Sequence, residues 1–199
     1  MRAKREHARG TSRISLTMTL LAVAAFLAGC GGDDGESEAS GNGTDRAFAR
    51  AMVPHHEGAV EMARLAERRG ERGELKRLAR EIIASQRREI AALRRVDRQL
   101  AGDGVKSGRL AVPERLRGMD HNTVFLEQAA QFDREFISMM VPHHEGAIRM
   151  SRAELRSGED PRLRRLAREI IAAQEREIRQ MRRWSKRWYG SGTPADHRH

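Results

Sequence analysis

The feature that most constrains this chain is an internal duplication, in which one segment recurs 88 residues later without a gap. Met52–Ala59 reads Met-Val-Pro-His-His-Glu-Gly-Ala, and the same residues return at Met140–Ala147. The same offset superposes Leu78–Ala84 on Leu166–Ala172, and more than half of positions 45–95 are identical in the second copy. This duplication predicts two equivalent structural units that pack together with approximate two-fold symmetry.

Each copy has the pattern of a helical hairpin. We predict that its first helix begins at Asp45 or Asp133, because Asp is a good N-cap, and ends near Gly70 or Gly158. The residues of one predicted stripe, most of them apolar, recur at alternating intervals of four and three, which is the spacing of one helix face. In the first copy this stripe is Phe48, Met52, His55, Ala59, Met62 and Ala66.

The second helix of each hairpin is predicted to begin near Glu74 or after Asp160-Pro161. Its stripe is Leu75, Leu78, Ile82, Gln86, Glu89 and Leu93 in one copy, and Leu163, Leu166, Ile170, Gln174, Glu177 and Met181 in the other. Four such stripes are buried most compactly in an all-α four-helix bundle built from two duplicated hairpins. The residues expected in its core include Ile82, Ile83, Ile170 and Ile171, whereas Arg80 and Arg168 are expected to be solvated.

Composition agrees with helices and excludes several other classes of protein. Aromatic residues are only 4% of the chain, fewer than β-sandwiches and barrels normally use. The single Cys excludes a disulfide framework within the chain and a multi-Cys zinc or iron–sulfur site. The net charge of +10 falls to +6 without residues 1–29, and acidic residues are interleaved with the basic ones. We therefore do not expect nucleic acid as a partner.

The N-terminal residues have the pattern of an export signal. A basic start precedes an apolar run of 14 residues, Ile14–Leu27, and the small pair Ala28-Gly29 then precedes Cys30. A membrane-spanning helix needs about 20 residues, so a lipoprotein signal is preferred, with a plain secretory signal as the alternative. We expect lipidation at Cys30, attachment to a membrane through that lipid, and location on the extracytoplasmic side of a bacterial cell envelope.

The remaining boundaries follow from composition and from the repeat. Residues 30–44 are rich in Gly, Ser and acidic residues, which is typical of a flexible tether. Within the connector between the copies, Thr123–Gln131 can form a short helix over one end of the bundle. The predicted order is signal peptide 1–29, tether 30–44, first hairpin 45–101, connector 102–132, second hairpin 133–189 and polar tail 190–199.

The two Pro-His-His segments contain the residues whose chemistry suits a metal ion. Pro54 and Pro142 fall inside the first helix of each hairpin, where a proline costs about 3 kcal/mol. We predict continuous helices kinked at these prolines, rather than helices that begin there. In each copy one histidine, His55 or His143, shares the inward stripe with a Met one turn earlier and another two turns later.

Two interpretations of these histidines stay open at this point. A buried hydrogen-bond network of His, Glu and Gln would fix helix register without a metal. Imidazole with thioether is the ligand set that copper prefers, Cu(I) above all, and its duplication favours a metal. The candidate metal ligands are Met52, His55, His56, Met62, Met140, His143, His144 and Met150. Candidate supporting groups or additional ligands are Gln86, Glu89, Gln174, Glu177 and Met181.

Other metal and enzyme classes agree less well with the sequence. Met52 and Met140 stand where a di-iron bundle of the ferritin type has a Glu three residues before its His. The sequence contains neither the His-Glu-x-x-His motif of zinc proteases nor the Gly-x-Ser-x-Gly motif of hydrolases. No catalytic residue is assigned. A ferritin-like redox enzyme and a structural or interaction bundle remain the alternatives, and homo-oligomer formation is left open.

The pattern Phe-x-x-x-Met-Val-Pro-His-His-x-Gly-Ala-x-x-Met, followed by Leu-Ala-x-x-Ile-Ile-x-x-Gln-x-x-Glu-Ile, resembles the domain-of-unknown-function family 305. The resemblance covers most of residues 45–188, in both copies. It implies a ferritin-like fold and an exported protein, and some members resemble periplasmic copper-binding proteins that protect against copper. The family's second helix often ends with Met, so the resemblance implies a poorer site in the copy with Leu93 than in the copy with Met181.

Overall fold

The computed structural model describes residues 41–119 and 122–190. This part of the chain contains no strand, and none of its helices is long and apolar enough to cross a membrane. The predicted signal peptide, Cys30 and residues 191–199 of the predicted tail lie outside the described residues. The helices are α1 (Gly43–Arg69), α2 (Gly73–Gly102), α3 (Thr123–Gln128), α4 (Phe132–Ser157) and α5 (Pro161–Tyr189).

The long helices form the predicted all-α four-helix bundle of two hairpins. Helix α1 packs along α2 and α4 packs along α5, and the two hairpins meet mainly through α1 and α4. The short helix α3 is three residues shorter than predicted and contacts α1 and α4, with Leu126 fully buried in the core. The two buried apolar clusters found in the described residues have members from both hairpins, so the hairpins share one interior.

Helix α1 begins two residues before the predicted start at Asp45. Asn42 is the N-cap, because its side chain accepts the N–H groups of Thr44 and Asp45. The Asp45 carboxylate in turn accepts the Asn42 N–H, which completes a capping box. The prediction of a flexible tether up to residue 44 is therefore wrong at its end. Helix α4 similarly begins at Phe132, one residue before the predicted Asp133.

The other helix limits follow the predicted signals. Asp160 caps α5 through its side chain, and Pro161 is the first helical residue, where its lack of an N–H costs no helical bond. Both α1 and α4 continue through their prolines, Pro54 and Pro142, as predicted. Both prolines are exposed, so their rings stay off the buried stripe.

Two of the four isoleucines that were predicted to be core are only half-buried, namely Ile83 and Ile171. Ile82 and Ile170 are fully buried, and the arginines two positions before them are exposed as predicted. The error has a simple geometric cause. Each residue turns the helix by about 100°, so the residue after a central core position lies at the edge of the buried face.

Hydrogen bonds between the hairpins obey the two-fold relation predicted from the repeat. The fully buried Asp45 carboxylate accepts the backbone N–H groups of Glu159 (3.1 Å) and Asp160 (2.9 Å). Asp133, also fully buried, accepts the N–H groups of the equivalent residues 71–72 at 2.8 and 3.1 Å. Each first helix is thus joined at its N-terminus to the interhelical loop of the other hairpin.

Candidate metal centre

His55 and His143 lie side by side where α1 contacts α4. Their ring centroids are 3.7 Å apart, with an angle of 37° between the ring planes. The two residues are 0% and 2% exposed. Since they are equivalent positions of the two copies, the pair lies at the approximate two-fold axis. The fold therefore brings two imidazole rings, one from each hairpin, into one buried place.

The surroundings of His55 keep its imidazole neutral. Burial lowers the pKa of His55 well below its usual value, and the nearby His56 and His144 add to this effect. Backbone groups of His143 and Arg117 oppose the shift in pKa. A neutral imidazole is the form that binds a metal ion. Burial thus prepares His55 as a ligand at neutral pH without requiring a proton to leave.

Several buried polar atoms around this pair lack a hydrogen-bond partner within the described residues. They are Nδ1 of His56 and His144, Oε1 of Gln86, and both amide atoms of Gln174. A buried polar group without a partner costs about 1–3 kcal/mol. A cation can pair with the imidazole nitrogens and amide oxygens among them, but not with the amide NH2 group of Gln174, so the acceptor atoms of this set fit an ion.

The second histidine of each Pro-His-His segment, His56 or His144, contacts the second helix of its own hairpin. His56 Nε2 is 2.7 Å from Oε2 of Glu89, and His144 Nε2 is 2.6 Å from Oε2 of Glu177. His56 and His144 thus contact their own hairpins, whereas His55 and His143 form the contact between the two copies. A carboxylate at Nε2 favours the tautomer with its proton there, which leaves the Nδ1 lone pair free to bind a metal.

The methionines surround the histidine pair in two groups that mix the copies. All five are fully buried; one cluster contains Met52 and Met150, and the other contains Met62, Met140 and Met181. The sequence pattern grouped the methionines by copy instead. They mix because α1 and α4 run antiparallel, so that the Met before one His lies near the Met after the other.

The ligand atoms available around the pair are imidazole nitrogens and methionine thioether sulfurs. Within residues 41–119 and 122–190, no three His, Cys, Asp or Glu side chains are grouped as metal ligands. An ion bound by His55 and His143 would need further donors, and the buried methionines are the soft donors in the two apolar clusters. Gln86 and Gln174, each 2% exposed, lie one helical turn before the glutamates that pair with His56 and His144.

The sequence did not reveal a buried carboxyl group at the end of α4. Glu154 is fully buried, and burial, with the adjacent Asp45 carboxylate, raises its pKa to about 9. Asp160 adds to the shift and Arg164 opposes it. The first copy has Ala66 at this position. The available signal was this departure from the repeat on a buried helix face.

A close backbone contact beside His143 was also missed. A Cβ atom added to Gly146 would overlap the carbonyl oxygen of Arg117. Gly118 has a φ of 71°, and a Cβ there would lie 2.8 Å from the carbonyl oxygen of Pro142. The glycine of the repeated motif thus lets the connector lie directly on α4 in the second copy.

The sequence and the fold both match proteins already described. The family model described as Domain of unknown function (DUF305) matches residues 45–185. The chain is 36% identical to CopM in the Cu(I)-bound form, with a TM-score of 0.63 over 73% of this chain and 98% of that one. CopM has also been solved in Ag-bound, Cu(II)-bound and apo forms.

Two further relatives extend the comparison. A DUF305 fragment from Deinococcus radiodurans is 30% identical, with a TM-score of 0.58 over 72% of this chain and 96% of that one. The Uncharacterized protein L153 of Acanthamoeba polyphaga mimivirus is 41% identical over 54 residues, which are 27% of this chain. The chain spans only 36% of the length of that viral protein.

Proposed function

The chain belongs to the DUF305 family, and from that premise we propose that it binds copper, as Cu(I), at the centre of its helical bundle. The observation that carries the proposal is the enclosed His55–His143 pair with methionine thioethers on both sides along the bundle. Support comes from a relative at 36% identity that was solved with Cu(I) and with Ag, two ions that favour soft ligands. The role that follows is copper buffering.

The residues of this chain divide the work of binding. His55 and His143 would each supply a ring nitrogen, and thioethers of the two methionine clusters would complete a soft coordination sphere. Glu89 and Glu177 hold the rings of His56 and His144 in one orientation. Copper bound in this way would be withheld from solvent, because the residues of the pair are at most 2% exposed.

A structural interpretation has one observation in its favour. The two short contacts between histidine and glutamate, at 2.7 and 2.6 Å, tie each first helix to its second helix and would fix register without any metal. These contacts do not involve His55, whose ring lies beside that of His143 and near backbone groups of His143 and Arg117. The network of His56 and His144 with glutamate therefore does not account for the central histidine pair, whereas copper binding does.

The test is a Cu(I) competition titration on the wild type and on matched variants. His55→Ala/His143→Ala should weaken binding by more than about 100-fold, beyond the 10–100-fold expected from loss of a supporting group. Met62→Leu/Met140→Leu should also weaken it, whereas Met139→Leu is the control, because Met139 is half-buried against the same cluster but is not among the proposed ligands. Circular dichroism checks that each variant stays helical. Unchanged affinity in the double histidine variant would leave the structural network as the better account.

Location is a separate proposal. We propose that Cys30 is lipidated and holds the bundle at a membrane on the extracytoplasmic side of the envelope, based on the small residues before this single Cys. Stable attachment needs two membrane signals, so more than one acyl chain is expected. Cys30→Ala should move the protein from the membrane fraction to the soluble fraction. A variant that stays in the membrane uncleaved would show that residues 14–27 act as an anchor.

A further inference from the structure

An ion can reach the histidine pair only if part of the protein moves, because His55 and His143 are 0% and 2% exposed. Four long helices pack around the pair with buried apolar side chains. The remaining cover near it is the connector after α2, whose Leu110 and Val112 lie in the same buried cluster as Met52. The connector is therefore the part of the cover that can move without unpacking a helix.

The connector touches the site at Arg117 and Gly118. The Arg117 carbonyl lies directly over Gly146, and the Gly118 backbone lies against Pro142 and His143. The backbone of Arg117 also acts on the His55 ring. The turn at Arg117 and Gly118 thus contacts α4 beside His143 and lies close to His55.

The bonds that hold this turn are mostly local. The Arg117 N–H donates to the Glu114 carbonyl, and the Arg117 side chain donates to the Val112 carbonyl, both within the connector. From the bundle, Arg149 Nε donates to the Leu116 carbonyl at 2.7 Å in an exposed bond, and the Arg117 backbone lies near the His55 ring. Local bonds and few buried side chains, as in residues 113–119, are typical of segments that open at low free-energy cost.

Met119 follows this turn directly and is 37% exposed. All the methionines of the proposed site are fully buried, so an exposed thioether at this place is a distinct feature. Thioether sulfur binds soft ions such as Cu(I) and Ag(I) but has little affinity for hard ones. A soft ion arriving from solvent would find such a donor one residue from the segment that covers the histidines.

We propose that the turn Arg117–Met119 is the entrance to the histidine pair, and that Met119 is the first ligand an incoming soft ion meets. This rests on the proposed soft-metal function. The ion binds the Met119 sulfur, the turn lifts away from Gly146, and the ion passes to the imidazoles without any change in its charge. Because release follows the same route, Met119 sets the rates of binding and release and leaves the equilibrium affinity unchanged.

The test measures Ag(I) binding by stopped-flow on the purified protein. Met119→Leu keeps the size of the side chain and removes its sulfur, and should lower the association rate by about tenfold, within the range seen among variants of one site. Its equilibrium affinity should match the wild type. Leu116→Ala, which changes an exposed apolar residue directly before the turn but no sulfur, is the control and should keep the wild-type rate.

A second variant tests the turn without any metal. Gly146→Ala places a Cβ on the Arg117 carbonyl, so the turn should move outward. Amide hydrogen exchange at residues 117–119 should speed up in the metal-free protein, and Ag(I) should bind faster. Gly102→Ala is the control, since a Cβ there meets nothing within 4 Å.

The outcomes separate the two proposals. A wild type that binds neither Ag(I) nor Cu(I) would overturn both of them. A wild type that binds Ag(I), together with Met119→Leu at the wild-type association rate, would overturn the entrance and leave the copper function standing. Gly146→Ala with unchanged exchange and an unchanged rate would likewise show that the turn is not the entrance.

Discussion

The buried aspartates at the helix N-termini should decide whether the two hairpins stay together. Asp133 is fully buried and accepts N–H groups at 2.8 Å and 3.1 Å from the loop of the other hairpin. Hydrogen bonds to a charged group contribute about 1.5–3 kcal/mol each. The contact of Asp133 with the Arg72 guanidinium, at 3.3 Å and partly exposed, adds little. Asp133→Ala should therefore lower the free energy of unfolding by about 3–5 kcal/mol.

The assay is urea denaturation followed by circular dichroism, with Tm as a second readout. The loss corresponds to a fall in Tm of about 10 °C, at roughly 2–4 °C per kcal/mol for a protein of this size. Asp45→Ala should behave alike, because it removes the equivalent bonds. Asp97→Ala is the control, since it breaks an ion pair with Arg46 near the surface and should cost under about 1 kcal/mol. A variant Asp133→Ala as stable as Asp97→Ala would refute the reasoning, because it would show that the bonds of Asp133 to the loop contribute little to stability.

Four further outcomes are expected. Ile82→Ala should cost about 2–5 kcal/mol in denaturant unfolding and the half-buried Ile83→Ala clearly less, and equal costs would mean that the helix faces are misassigned. Because the Glu154 pKa is raised from 4.5 to about 9, the stability it contributes is full below the lower value and is lost as pH rises through the higher one. In Glu154→Gln, the free energy of unfolding measured by urea denaturation should fall less steeply as pH rises from about 4.5 to about 9. An unchanged dependence on pH would contradict the assignment. Cu(I) affinity should persist to pH values well below the ordinary pKa of histidine, since burial lowers the pKa of His55, and competition titration in acidic buffers would show this. Met181→Leu should weaken Cu(I) binding, because it removes one of the three thioethers from the cluster of Met62, Met140 and Met181, and the same competition titration measures the affinity.

Local rules predicted most of the fold from the sequence. The 88-residue repeat, the stripes at intervals of four and three, and signals such as Asp160-Pro161 depend on neighbours within one helix. These features predicted two helical hairpins, their approximate ends and the inward position of His55 and His143, and the structure agrees. The true start of α1 was missed, because Asn42 is the N-cap and Asp45 completes the capping box from inside the helix.

The tertiary structure alone decided which residues meet. Periodicity shows that His55 faces inward, but it does not show that the facing residue is His143, because that contact joins positions 88 residues apart. The antiparallel packing of α1 against α4 sorts the methionines into two mixed clusters instead of one set for each copy. The contact between the connector and Gly146 also depends on long-range packing. A helical repeat specifies which face of each helix is buried, whereas the partner of that face is fixed only when the hairpins pack together.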